Sequence, residues 1–177
     1  MERANVKVAI WGFGAMGSGM ARMILKKKGI EIVAVVDRNA ARVGKDMYEV
    51  LGVERGDRKP VIISNDFDAT ITEKCCDVIM TATDSYTKEA FPRLKACLEK
   101  KINVISTAEE MAYPQAQSPE LAAELDRIAK ENGVSILGTG INPGLMMDLL
   151  VVCMTGCMED VESIVAKRVN SLSPFGP

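Results

Sequence analysis

One short stretch constrains this chain more than any other: VKVAIWGFGAMGSGMARMIL, residues 6–25, where a run of β-forming residues breaks at a glycine and resumes with helical periodicity. Gly12, Gly14 and Gly17 give the spacing G-x-G-x-x-G, and the next apolar run, EIVAVVD, ends in Asp37, 20 residues after Gly17. Glycine triplets recur by chance. A strand before them, a helix after them and an acid closing the following strand together make the fingerprint of a dinucleotide-binding βαβ unit. Gly12 is expected to allow the tight turn off the strand, Gly14 to let main-chain N–H groups approach a diphosphate, and Gly17 to permit close helix–strand packing.

The expected cofactor contacts follow from that reading. Gly12, Phe13, Gly14, Ala15, Met16 and Gly17 surround a helix N-terminus whose partial positive charge suits phosphates. Asp37 is expected to accept hydrogen bonds from the adenosine ribose hydroxyls and to repel a 2′-phosphate, whereas the neighbouring Arg38 suits one. The pair predicts NAD as the preferred cofactor, with NADP tolerated.

Downstream, apolar periodicity switches repeatedly between two and about 3.6 residues, the pattern of an α/β, Rossmann-type doubly wound, mostly parallel sheet. Strands are predicted at Val6 to Trp11, Glu31 to Asp37, Val61 to Ser64, Asp77 to Ala82, Ile102 to Thr107, Val134 to Leu137 and Val161 to Val169. Helices are predicted from Ala15 to the Lys26–Lys28 run, from Asn39 to about Leu51, around Ala69 to Lys74, over Tyr86 to Leu98, from Ser118-Pro119 to Asn132-Gly133, and from about Leu145. The methionines at 16, 20 and 23 are expected to pack in the core, and the three lysines to form a solvated helix end.

Composition removes several chemistries. The chain has no histidine, so imidazole bases, Ser-His-Asp triads and His-ligated zinc are out, and proton transfer falls to a carboxylate, Lys, Tyr, Cys or water. With 22 Lys and Arg against 24 Asp and Glu there is no basic excess for nucleic acid. Five cysteines without paired CxxC motifs indicate reduced thiols and a cytoplasmic protein. Cys75 and Cys76 read as structural. Cys153 and Cys157 share a helix face, where core packing is expected rather than metal binding. No signal segment is evident, and Leu145 to Met158 is too short to span a bilayer and carries Asp148, so no membrane partner is expected.

The segments WGFGAMGSGMARMIL, NVISTAEEMAYP and GTGINPGLMMDLL resemble the 2,4-diaminopentanoate dehydrogenases, which are related to native amine dehydrogenases and to the N-terminal domain of dihydrodipicolinate reductase. The resemblance implies NAD(P)-dependent oxidative deamination of a diamino acid in ornithine breakdown, giving 2-amino-4-oxopentanoate and ammonia. It also implies a homodimer whose second domain completes the substrate pocket. On that basis residues 1–160 are expected to form the dinucleotide-binding domain, with 161–177 the start of a second domain.

In a doubly wound sheet, ligands collect beyond the carboxyl ends of the strands. Thr81, Ala82, Thr83 and Asp84 should therefore border the cofactor pocket, and Glu109 and Glu110 should leave strand five near the nicotinamide end. A cationic amine must be neutralised before it is oxidised, so a carboxylate fits the chemistry, and similarity to related dehydrogenases favours Glu109 as catalytic over Glu110. Asn142 and Pro143, with Gly144, form a turn that either borders the nicotinamide or only starts a helix. Tyr113 either donates a hydrogen bond or packs. A non-catalytic dinucleotide-binding module and a dihydrodipicolinate-type reductase remain as alternatives.

Overall fold

The computed structural model describes residues 4–169 and 171. Six strands, β1 (Val6–Trp11), β2 (Ile30–Val36), β3 (Ile63–Ser64), β4 (Val78–Thr81), β5 (Asn103–Ser106) and β6 (Ile136–Gly138), form one parallel sheet in the order β3-β2-β1-β4-β5-β6. The order reverses direction between β1 and β4, which stay paired to their ends, Trp11 beside Thr81, so the switch point of the sheet, where such folds take their ligand, lies at the carboxyl ends of these two strands. The expected doubly wound architecture is present.

Side chains alternate across the strands and feed two apolar layers. Val8 and Ile10 join Phe13, Ala21, Ile24, Ile32, Met47 and Leu51 on one face, under α1 (Ala15–Ile24) and α2 (Met47–Leu51). Ala9, Ala34, Ile79 and Val104 face the other way, against α3 (Phe67–Thr70), α4 (Thr87–Glu99) and α5 (Pro119–Asn132). On that second face Trp11 stacks on Phe67, ring centroids 4.1 Å apart, and the Lys100 ammonium lies 5.2 Å from the Phe67 ring.

Where expectation and structure part, a local cause is visible. The face of α1 that meets the sheet carries Gly17, Ala21 and Ile24, while Met16 and Met23 are 48% and 59% exposed, so the methionine row is not core. Small residues win that face because the helix lies so close to β1. No helix runs from Asn39 to Leu51. The Asn39 amide oxygen accepts from Ala41 N–H and holds a turn, Gly44 takes φ +83°, and Met47 N–H reaches the Val61 carbonyl. Helix α2 then starts afresh at Asp46, whose carboxylate accepts from Tyr48 N–H at 3.3 Å. Helix α1 ends at Ile24 rather than in the lysine run, which is exposed.

Helix α5 begins with Pro119 at its first turn and closes at Gly133 in a left-handed conformation, as its sequence predicts, although the Ser118 side chain makes no capping bond. The segment Ile141–Leu149 has non-helical backbone at Asn142, Pro143 and Gly144 and runs into α6 (Leu150–Thr155). The strand expected over Val161 to Val169 does not form: these residues have no regular structure and are exposed, and among the described residues they have no ladder partner, which a strand needs. Cys153 and Cys157 are exposed, so they do not pack in a core. No helix among the described residues is long and apolar enough to cross a membrane.

Candidate functional site

The glycine turn lies at the switch point. A Cβ on Gly12 would come within 2.6 Å of the Ala82 carbonyl oxygen and 2.9 Å of Thr83 Cγ2, so the β1 turn and the loop after β4 touch only because residue 12 has no side chain. Gly17 does the same between helix and strand, where a Cβ would fall 1.8 Å from the Gly12 carbonyl oxygen. A Cβ on Gly14 would meet nothing within 4 Å. Gly14 therefore faces open space at the N-terminus of α1, a helix with no side-chain cap and no acid in its first turn. By contrast α2 and α3 are each capped by an aspartate, Asp46 and Asp66. An uncapped helix start behind a glycine that leaves its approach clear fits a diphosphate.

Asp37 and Phe13 brace this turn from inside. The Asp37 side chain is 8% exposed; Oδ2 accepts the Phe13 main-chain N–H, Oδ1 accepts Asn39 N–H at 2.7 Å, and Arg42 Nη1 lies 3.6 Å from Oδ2. The Phe13 ring is fully buried, so both its ring and its N–H serve the fold. A carboxylate has about four lone-pair sites, which leaves room for a further donor from outside. Ala15 and Met16 are exposed at the helix start, and Arg38 is exposed beside Asp37.

The parallel ladder continues past the strand ends and levels the loops. Gly12 N–H donates to Val36 O, Ala82 N–H to Trp11 O, Thr107 N–H to Thr81 O, and Thr139 N–H to Ser106 O. Residues 12, 82, 107 and 139 thus stand side by side at the carboxyl end of the sheet. Thr81 is buried below that level, while Ala82 and Thr83 reach it. Thr83 Oγ1 donates to Asp84 at 2.6 Å, and Arg93 Nη1 donates to the same carboxylate oxygen at 2.8 Å, which fixes the loop leaving β4.

Beyond Thr107 the chain makes a 3-10 turn, Glu109–Ala112. The two acids in it differ. Glu110 is half-buried and its Oε2 accepts Thr87 N–H, the first main-chain donor of α4, at 2.8 Å. Glu109 is exposed, and its carboxylate makes no hydrogen bond or ion pair among the described residues. Tyr113 is 67% exposed and does not pack. Pro143 is buried behind a cis Asn142–Pro143 peptide, Asn142 is half-buried, and Gly144 N–H donates to Asp148 at 2.8 Å.

Sequence reasoning missed the inward use of Asp37, the capping role of Glu110, and Gly138, where a Cβ would lie 2.0 Å from the Met111 carbonyl oxygen. The first glycine of GTG, directly after the short apolar run that ends in Leu137, was the one available signal for the last. A cavity of about 420 Å³ lies elsewhere, between Met146, Leu150 and Met154 on one side and Ile164 on the other. It is lined wholly by residues after the sixth strand and is not part of the glycine-turn site.

Comparison with known proteins agrees with this fold. A 2,4-diaminopentanoate dehydrogenase from Acetoanaerobium sticklandii is 63% identical over 98% of this chain, and an amine dehydrogenase from Streptomyces virginiae is 25% identical over 96%. The chain covers 48% and 47% of those proteins, so it spans about half the length of the curated relatives it matches. The structure of an amine dehydrogenase from Mycobacterium smegmatis superposes with a TM-score of 0.80 at 32% identity, covering 90% of this chain and 46% of that one. The 2,4-diaminopentanoate dehydrogenase C-terminal domain family matches residues 145–177. Residues 6–137, which carry the sheet, the glycine turn and the Glu109 loop, match the dihydrodipicolinate reductase N-terminus, and the chain belongs to that family.

Proposed function

We propose that this chain is the nucleotide-binding half of an NAD(P)-dependent amine dehydrogenase that deaminates 2,4-diaminopentanoate to 2-amino-4-oxopentanoate and ammonia. The observation that carries this reading is an unpartnered carboxylate, Glu109, two residues beyond the level where the ladder aligns the glycine turn with the loops after β4 and β5. The 63% identity to a 2,4-diaminopentanoate dehydrogenase supports the substrate.

Main-chain N–H groups at Ala15 and Met16, with Gly12, Gly14 and Gly17 clearing the approach, hold the diphosphate. Asp37, with its remaining acceptor capacity, meets the ribose, and Arg38 accommodates a 2′-phosphate, so NAD is preferred and NADP tolerated. Ala82, Thr83, Asn142 and Pro143 line the nicotinamide end. When bound there, the dinucleotide supplies the two-electron oxidant. Glu109 takes the proton from the substrate ammonium, because the carbon–hydrogen bond can give up its electron pair only once nitrogen has a free pair to share. It then activates the water that releases ammonia. The balance is ammonium substrate, NAD⁺ and water giving ketone, ammonium ion, NADH and one proton. Substrate pocket closure and homodimerisation belong to the second domain, drawn from residue 161, and the protein works in the cytoplasm.

The test follows NAD and NADP reduction by the full-length protein on adding 2,4-diaminopentanoate, with ornithine as a comparison substrate. Diamine-dependent reduction is expected, and Glu109→Gln is expected to lower kcat by more than about a hundredfold while NADH still binds. Full activity in that variant removes Glu109 from the mechanism. Cofactor binding without turnover of the diamine overturns the substrate.

A further inference from the structure

Three observations converge on the residue next to Glu109. Helix α4 lacks a side-chain cap of its own, since Tyr86 makes no capping bond. The Glu110 carboxylate, 23 residues away, fills that place by accepting Thr87 N–H at 2.8 Å, where the positive end of the helix also favours a negative charge. The Glu110 main-chain N–H donates to the Ser85 carbonyl oxygen at 3.2 Å, so the same residue grips the α4 start twice. On the opposite side, the Met111 carbonyl group fits against Gly138 of β6 so closely that any Cβ there would overlap it. Met111 itself is 5% exposed.

We infer that Glu110 is a positioning residue that presets Glu109 by fastening the 3-10 turn to the start of α4. This rests on the reading of Glu109 as the base. The turn is clamped between α4 and β6 at residues 110 and 111, and Glu109 sits one residue before the clamp with its own carboxylate unattached. A side chain with three rotatable bonds gains its aim from its main chain, and loss of orientation near a reacting centre costs up to about a hundredfold in rate. The carboxylate half of the clasp uses the Thr87 main chain alone. The Thr87 hydroxyl is buried without a hydrogen-bond partner, so Glu110 engages no other donor of that residue.

Two substitutions break the clasp from its two ends. Glu110→Ala removes the acceptor. Thr87→Pro removes the donor and leaves the helix intact, because Thr87 is the first helical residue, where proline is favoured, and Tyr86 already has the extended backbone (φ −103°, ψ 142°) that a following proline requires. Glu110→Gln keeps an acceptor oxygen in place and serves as the conservative rescue.

In the full-length enzyme, Glu110→Ala and Thr87→Pro are each expected to lower kcat about tenfold to a hundredfold, with the cofactor KM within about twofold of wild type. The double variant should be no slower than the slower single one, since both remove one interaction. The acid limb of the kcat–pH profile should stay where it is, because the titrating base is still present. Glu110→Gln should remain within about threefold of wild type. If Glu110→Gln is as slow as Glu110→Ala and the acid limb vanishes, Glu110 is itself the base and the proposal is wrong. Wild-type kcat in both clasp-breaking variants also overturns it. Should either of those two fail to fold by circular dichroism, the glutamine variant and its pH profile still decide. Activity retained in Glu109→Gln is a separate result, which removes the reading beneath the proposal.

Discussion

Gly17 and Gly19 lie on the same ten-residue helix, two positions apart, and their replacement by alanine is expected to have opposite effects. At Gly19 a Cβ meets nothing within 4 Å, so alanine only gains helix propensity, about 1 kcal/mol. At Gly17 the Cβ would lie 1.8 Å from the Gly12 carbonyl oxygen and 2.9 Å from its carbon, both of them main-chain atoms in a tight turn that have no rotamer with which to retreat. Restoring an ordinary carbon–oxygen contact means moving α1 off the strand by about 1.4 Å, enough to forfeit much of the dispersion contact made by the buried Ala21 and Ile24 behind it. Overpacking of this kind costs about 3 kcal/mol, and subtracting the propensity gain leaves a net loss of about 2 kcal/mol. For a chain of this length that is a fall in Tm of about 4–8 °C for Gly17→Ala against a rise of about 2–4 °C for Gly19→Ala. Trp11 is the sole tryptophan and directly precedes Gly12, so quenching of its fluorescence by NADH reports binding at the same turn. Binding should weaken more than about tenfold in Gly17→Ala and stay at the wild-type level in Gly19→Ala. Equal Tm values for the two variants would refute the close helix–strand approach.

Two further outcomes test the packing. Burial first, then the neighbouring Cys75, pushes the Cys76 thiol up to about 12, and burial raises Cys97 further still. A group with a raised thiol pKa stays protonated until the pH passes that value, so at pH 8 Cys76 remains in the unreactive thiol form. Titration of the native 177-residue chain with a disulfide reagent should therefore label the exposed Cys153 and Cys157 promptly and reach Cys76 and Cys97 only on unfolding; prompt labelling of all five thiols would contradict the burial. Leu94 of α4 is fully buried against the sheet, and Leu94→Ala should lower unfolding stability in urea by about 2–5 kcal/mol. A loss under about 1 kcal/mol would mean that α4 does not pack there.

The path from sequence to fold was open where the determinants are local. Pro119 and Gly133 bound α5 because a missing N–H is tolerated at a first turn and a left-handed residue ends a helix without strain, and both properties belong to single residues. Asn39 misled for the same reason: its amide does start a turn, but two main-chain bonds near Gly44, from Gly44 N–H to Ile63 O and from Ile63 N–H to Lys45 O, draw the chain along β3 instead of into a helix. The methionines of α1 misled differently. Periodicity identified a helix and gave no account of which face the sheet would accept, and the small side chains prevailed because the separation of α1 from β1 is set by Gly17.

The sequence by itself determined the βαβ fingerprint, the parallel α/β class and the absence of imidazole chemistry, since spacing, period and composition are properties of the chain read in order. Only the tertiary structure decided what each of the adjacent acids meets. Glu109 and Glu110 are identical in chemistry and neighbours in sequence, yet one carboxylate meets the start of a helix 23 residues away and the other meets nothing among the described residues. That difference comes from long-range geometry: strand register brings Thr107 beside Thr81, the short loop after β4 puts Thr87 within reach of the following turn, and Gly138 admits the Met111 carbonyl group on the far side. Partners are assigned by distance in space, and residue spacing along the chain does not encode it.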